Sequence, residues 1–268
     1  MYLEADIKKR NNVRVIGDGE NTLVLAHGFG CDQRMWDYLI PFFEESYKIV
    51  LFDYVGCGQS DLNAFDKKRY SQLSGYAKDI EEICDALALS NVIFIGHSVS
   101  STIGMHAAIE RPDLISKLIM VCPSPCFLNL PPDYMGGFEK EDLEELINLM
   151  DKNYLGWASY FAPLVIGEGN VDSFKQELES SFCSTDPSYA KPFAKATFFA
   201  DDRHLLPKLS TPTLILQSQD DTLVSVEVGQ YMHKVIEHSV LTVIEAKGHC
   251  LHMTTPEQVA CAIKEFLD

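Results

Sequence analysis

The sequence has no apolar run near the length needed to span a bilayer, and its first ten residues, MYLEADIKKR, have no apolar core of the kind a signal peptide carries. Positive charge is scarce: 22 Lys and Arg stand against 39 Asp and Glu, for a formal charge of −17. That balance excludes nucleic acid and anionic membrane surfaces as natural partners and otherwise favours solubility. None of the eight cysteines forms a C-x-x-C pair; they are scattered through apolar contexts. Without an export signal they are expected to be reduced, mostly buried thiols, neither a disulfide framework nor a zinc site. Phosphate-binding glycine motifs are incomplete. Gly28-x-Gly30 and Gly56-x-Gly58 each follow a strand, but neither extends to G-x-G-x-x-G, and no G-x-x-x-x-G-K-[ST] occurs. Both are read as tight strand-to-helix turns, with no nucleotide cofactor. There are no repeats and no low-complexity segments. These absences leave a cytoplasmic globular protein whose 268 residues suffice for a large core.

Among the features that are present, Gly96-His97-Ser98-Val99-Ser100 organises the rest. The buried run 92–95 leads into it and a small-residue helical stretch, 101–108, leads out. A serine on a sharp turn between strand and helix is a nucleophile elbow, in which only small residues fit two before and two after the serine. Gly96 satisfies that need. Ser100, where glycine is usual, departs from the pattern by one hydroxymethyl group.

Apolar runs at 13–16, 22–26, 48–52, 92–95, 118–122, 213–217 and 241–244 read as strands. Helical periodicity falls at 33–44, 73–87 and 256–267. Continuous apolar strands alternating with helices indicate a mostly parallel sheet covered on both faces. The alternation stops after Pro123-Ser124-Pro125. No strand is expected between 128 and 207, where four helical patterns occur, near 139–151, 154–164, 171–183 and 188–200. The expected organisation is a core of residues 1–127 and 208–268, with 128–207 inserted as a helical cap.

Open α/β sheets bind ligands at the carboxyl ends of their strands. The loop after 213–217 carries Asp220 and Asp221; the loop after 241–244 carries Gly248 and His249. Ser98, an aspartate and His249 in that chain order match the arrangement of α/β-hydrolases. The histidine would take the serine proton and the carboxylate would hold the imidazole. Asp221 is favoured over Asp220 by the spacing of Asp221-x-x-Val224, and His249 over His252 by the flexible Gly248 before it. His249-x-x-His252 lacks a third ligand at zinc spacing, so no metal is expected. Backbone N–H groups of Phe29 and Val99 are the candidates for an oxyanion hole. Phe29, Phe127, Phe138, Trp157, Phe161, Phe198, Phe199, Val224 and Cys250 are the expected lining of a small, apolar, enclosed pocket. Its ligand would be a small hydrophobic ester, lactone or similar electrophile.

The chain resembles the α/β-hydrolase group that contains the bacterial sigma-B stress regulator RsbQ and the plant karrikin and strigolactone receptors. The likeness runs over nearly the whole chain. It is most specific at 27–33, 51–56, 96–100, 124–129 and 134–139, and extends through 153–154 and Trp157 to 183–187 and 248–250. Pro-Ser-Pro-Cys and Phe-Cys-Ser-Thr-Asp-Pro look closest to RsbQ, whereas Ser100 and Phe161-Ala162-Pro163-Leu164 look more like the plant receptors. The resemblance implies an α/β-hydrolase fold with a V-shaped four-helix cap and a Ser98, Asp221, His249 triad. It further implies slow turnover of a small hydrophobic ligand and signalling through a partner, for RsbQ-like proteins a PAS-containing PP2C-type phosphatase. A metabolic esterase or lactonase without a partner, and a non-catalytic interaction module, are the alternatives. Ser98 stands where a haloalkane dehalogenase would need aspartate.

Overall fold

The computed structural model describes residues 3–268. Its centre is a seven-stranded sheet in the order β1-β3-β2-β4-β5-β8-β9, with β1 (Arg14–Ile16), β2 (Asn21–Ala26), β3 (Tyr47–Phe52), β4 (Val92–His97), β5 (Ile115–Val121), β8 (Thr213–Asp220) and β9 (Ser239–Lys247). All neighbours run parallel except β1, which pairs antiparallel with β3. β1 and β2 flank one turn but do not pair, because β3 lies between them. Every residue of β4 is buried, as a strand with neighbours on both edges and helices on both faces must be.

The helices are α1 (Glu4–Arg10), α2 (Leu73–Ala86), α3 (Val99–Glu110), α8 (Val226–Val235), α9 (Leu251–Thr254) and α10 (Pro256–Leu267) around the sheet. α3 packs directly on β4 and β5, and its small residues permit that. A Cβ at Gly104 would lie 2.5 Å from the Phe94 ring. The expected helix over 33–44 is instead two short 3-10 turns, Gln33–Trp36 and Ile40–Phe42. Pro41 lacks the N–H and clashes with the preceding turn, so one continuous α-helix cannot form. Residues 226–235 and 4–10 had no helical expectation and form α8 and α1.

Between β5 and β8 the chain leaves the sheet. It forms α4 (Lys140–Lys152), α5 (Tyr154–Ile166), α6 (Asp172–Ser184) and α7 (Pro187–Phe198). The expectation of no strand there is corrected by β6 (Asn129–Leu130) and β7 (Tyr134–Met135), a two-stranded ribbon. Two-residue strands are too short to leave a periodic signal. α4 opens with a capping box between Glu139 and Asp142 and buries Leu143, Ile147 and Met150. Six cysteines are buried, and Cys183 and Cys261 are exposed. Among the described residues no helix is long and apolar enough to cross a membrane.

Candidate active site

The turn between β4 and α3 places Ser98 at φ 54°, ψ −120°, a strained left-handed geometry for a non-glycine residue. The chain can turn so sharply because Gly96 has no side chain: a Cβ there would sit 2.5 Å from the Ser100 backbone. Ser98 N–H donates to the Val121 carbonyl of β5 at 2.8 Å, which fixes the turn to the sheet.

Ser100 has a specific partner. Its hydroxyl donates to the His27 carbonyl and shares a 3.1 Å hydrogen bond with the Tyr54 hydroxyl. A glycine could do neither. Ser100 thus ties the start of α3 to the loop after β2, which carries Phe29. In the same loop a Cβ at Gly28 would lie 2.4 Å from His97 Nδ1. Val99 opens α3, so its N–H has no acceptor within the helix.

His249 and Asp221 meet Ser98 from two other strand ends. His249 Nε2 lies 2.8 Å from Ser98 Oγ, and His249 Nδ1 lies 2.8 Å from Asp221 Oδ2. The other carboxylate oxygen, Oδ1, accepts from the backbone N–H groups of Leu223 at 2.8 Å and Val224 at 3.1 Å. Asp220 is exposed and contributes its backbone: its carbonyl accepts from Gly248 N–H at 2.9 Å. His252 lies behind the site, its ring centroid 4.4 Å from His97 and 4.4 Å from Trp36. Burial and the nearby His249 push the His252 imidazole down from 6.5 to about 3. Burial, then His252 and His249, likewise hold His97 well below the usual range. Both rings are therefore neutral at pH 7.

The end of α5 meets these loops closely. His249 N–H donates to the Val165 carbonyl at 2.7 Å, and Thr222 Oγ1–H to the Leu164 carbonyl at 2.6 Å. A Cβ at Gly248, where φ is +86°, would lie 1.9 Å from the Ile166 carbonyl oxygen. Only glycine lets the base approach along this path.

The cavity beside Ser98 measures about 20 Å³, room for roughly one water molecule. Of the expected lining, Phe29, Phe127, Phe161, Phe198 and Cys250 face it. Four expected residues do not. Phe138 lines an outer groove, Phe199 lies on a different surface, Val224 is buried, and Trp157 sits behind Phe29 and Phe161, with ring centroids 6.0 Å and 5.3 Å away. Phe198 ends α7 and Phe199 is its C-cap, so consecutive side chains leave in different directions and one facing in sends the other elsewhere. Cys31, His97, Val165, Leu178, Phe182, Thr197 and Leu223 also line the cavity and were not anticipated. Phe182 had a legible signal, an aromatic on the apolar stripe of α6. The outer groove, between α4 and α5, measures about 790 Å³, and Phe161 and Leu223 line both spaces.

Cys122 is a further unanticipated neighbour. Its thiol, at φ 50° just beyond β5, lies within 4.8 Å of ligand atoms of both Asp221 and His249. Burial and the Asp221 charge push that thiol far up, so it is a neutral S–H beside the carboxylate.

Residues 21–256 match the family model described as the alpha/beta hydrolase fold. The karrikin insensitive 2 receptor CA of Petunia hybrida is 43% identical over 255 residues, covering 94% of each chain. The strigolactone esterase D14 of Arabidopsis thaliana is 36% identical over 257 residues, covering 96% of each. A solved hydrolase from Oleispira antarctica superposes with a TM-score of 0.97 at 57% identity, over 99% of this chain and 97% of that one. The parallel sheet, the elbow at the end of β4 and these likenesses converge: the chain is a hydrolase-type protein belonging to the α/β-hydrolase family, with karrikin and strigolactone receptors and D14-type esterases among its relatives.

Proposed function

We propose that this protein is a cytoplasmic serine hydrolase of small hydrophobic esters or lactones, and that slow turnover serves to sense the ligand and signal to a partner protein. One observation carries the reading: the unbroken Ser98–His249–Asp221 hydrogen-bonded chain beneath an aromatic roof. In the proposed reaction Ser98 Oγ attacks the ligand carbonyl as its proton passes to His249 Nε2. Asp221 keeps the Nδ1–H tautomer and stabilises the imidazolium. The developing oxyanion is held by the Phe29 and Val99 N–H groups, each donor of this kind supplying about 3 kcal/mol. His249 then protonates the leaving alkoxide, and water attacks the acyl-serine by the reverse proton route, releasing the acid. No step draws on a metal or cofactor.

Residues 128–207 act as the cap over this site. A 20 Å³ cavity holds no such ligand, so the roof must part to admit one. Phe161 and Leu223, shared by cavity and outer groove, are the way through. The regulatory half of the reading rests on the receptor relatives and on the likeness to RsbQ, which makes a PAS-containing PP2C-type phosphatase the partner to test first. A plain esterase is the second reading, favoured by the esterase names among the relatives.

The test is hydrolysis of p-nitrophenyl acetate, with labelling by a fluorophosphonate probe. Wild type is expected to turn over and label, and Ser98→Ala to do neither. Equal inertness of both proteins, with no labelling, overturns the hydrolase reading. Ligand-dependent binding of the phosphatase separates regulator from plain esterase.

A further inference from the structure

The last carbonyls of a helix have no partner within it. In α5, the cap helix that carries Phe161, those carbonyls are taken up by the loops that bear the acid and the base. Thr222, directly after Asp221, donates its hydroxyl to the Leu164 carbonyl at 2.6 Å. His249 N–H donates to the Val165 carbonyl at 2.7 Å. Asn170 Nδ2 donates both to the Ile166 carbonyl at 2.6 Å and to the Lys247 carbonyl at 3.0 Å, just before Gly248-His249. The two loops are tied to each other by Gly248 N–H, which donates to the Asp220 carbonyl at 2.9 Å. Gly167 and Gly248 make the contact close: a Cβ at Gly167 would lie 2.8 Å from Gly248.

We propose that Thr222 and Asn170 are positioning residues, which hold Asp221 and His249 in register by fastening their loops to the carbonyl end of α5. Neither side chain lines the Ser98 cavity, so neither is a catalytic residue. Thr222 borders the outer groove and Asn170 stands apart from both spaces. Each acts through a loop one or two residues from a member of the triad. The consequence is that the base is aligned against a cap helix as well as against the sheet. A displacement of Phe161 by an incoming ligand therefore reaches His249 along α5. Misplacing a reacting group by about 1 Å costs on the order of 100-fold in rate, so a loosened fastening is visible in kcat.

The proposal deepens the hydrolase reading and has a readout that does not need turnover. Thr222→Val keeps the shape and removes the donor; Asn170→Asp keeps the shape and turns a double donor into an acceptor facing two carbonyls. Each is expected to lower kcat by about tenfold, with KM for p-nitrophenyl acetate unchanged, and Thr222→Ser to restore it. The low-field proton resonance of the His249 Nδ1–H···Asp221 bond is expected in wild type and in Thr222→Ser. It should broaden or move in Thr222→Val and Asn170→Asp. That resonance is read whether or not the protein hydrolyses the ester, so a failed hydrolase reading leaves this test standing. Thr222 is exposed apart from this bond, so its valine variant keeps the fold. Unchanged kcat and an unchanged low-field resonance in Thr222→Val and Asn170→Asp would overturn the proposal. A loss that Thr222→Ser does not rescue would overturn it as well.

Discussion

The floor and the roof of the Ser98 cavity are made by different physics. The floor is polar and directional. Ser98, His249 and Asp221 are joined by two 2.8 Å hydrogen bonds, and the turns that deliver them need Gly96 and Gly248. The roof is aromatic and held by ring contacts: Phe29 lies 5.7 Å from Phe193 and 5.6 Å from Phe198, and Trp157 stacks on Phe161 at 5.3 Å. Hydrogen bonds fix geometry, and a lost partner leaves a buried polar atom unpaired. Ring packing fixes volume and tolerates repacking. The floor is thus fixed in geometry, whereas the roof is fixed in volume and open to repacking. The α5 carbonyl end, where Val165 accepts from His249 N–H, joins the two at the base.

The largest expected effect breaks the floor while leaving the roof intact. Asp221→Asn keeps the shape but replaces the oxygen that accepts from His249 Nδ1–H, so the imidazole adopts the wrong tautomer. Esterase kcat is expected to fall by about 10⁴-fold, as for triads of this kind, with little change in melting temperature. A loss under tenfold would assign the acid role elsewhere, with the neutral Cys122 thiol the neighbouring group to examine next.

The asymmetry between floor and roof also explains what the sequence made legible. Ser98, Asp221 and His249 each lie just beyond a run that reads as a strand, and because β4, β8 and β9 run parallel their carboxyl ends lie on one side of the sheet. Strand ends and chain order thus pointed to the three together, with the Asp221-x-x-Val224 spacing choosing between the two aspartates. The roof offered no such constraint. Phe138, Trp157, Phe199 and Val224 are as aromatic or apolar as the true lining, and which helix face points inward depends on how the four helices between β5 and β8 cross. The same holds for 33–44, where periodicity outvoted Pro41, and for Ser100. Its departure from glycine was visible in the sequence, but its bond to the His27 carbonyl depends on a loop 73 residues away. An enclosed pocket was expected, but its volume of about 20 Å³ was least legible, because volume is a property of the packed whole.

The next effect opens the roof and spares the floor. Phe161→Ala removes a wall shared by the cavity and the 790 Å³ groove. Stability is expected to drop by about 3 kcal/mol, the low end for such a truncation because the groove lets neighbours relax. Activity is expected to shift toward bulkier esters while p-nitrophenyl acetate turnover is largely kept. Denaturant unfolding and a chain-length series of p-nitrophenyl esters check both. A collapse of acetate turnover would mean that the roof aligns the floor through more than the α5 end.

Acid separates the two regions in another way, because the buried imidazoles lie under the floor. Burial and His249 push His252 down from 6.5 to about 3, and His97 is held well below 6.5. Below pH 6.5 the unfolded chain therefore binds protons that the folded chain does not. Stability rises with pH in that range and is lost as pH falls from 6.5 towards 3. His252→Gln is expected to flatten this loss by one proton's worth of slope, measured by denaturant unfolding at pH 7.5 and pH 5. An unchanged slope would mean that His252 takes up its proton in the folded protein as readily as in the unfolded chain.

The smallest expected effect tests whether Ser100 belongs to the floor. Ser100→Ala leaves the elbow turn unaltered, since alanine is the next smallest side chain, but removes the donor to the His27 carbonyl and the link to Tyr54. The carbonyl is then buried without that partner, at a cost of about 1–2 kcal/mol. The loop that offers the Phe29 N–H is also freed to move relative to Val99. Esterase kcat is expected to fall a few-fold, about 1 kcal/mol of the roughly 3 kcal/mol such a donor supplies, because the donor is loosened and not removed. Ser100→Gly restores the usual elbow residue and should behave alike. If glycine instead raised kcat, Ser100 would be restraining the oxyanion loop, and slow turnover would be written into the floor and not imposed by the roof.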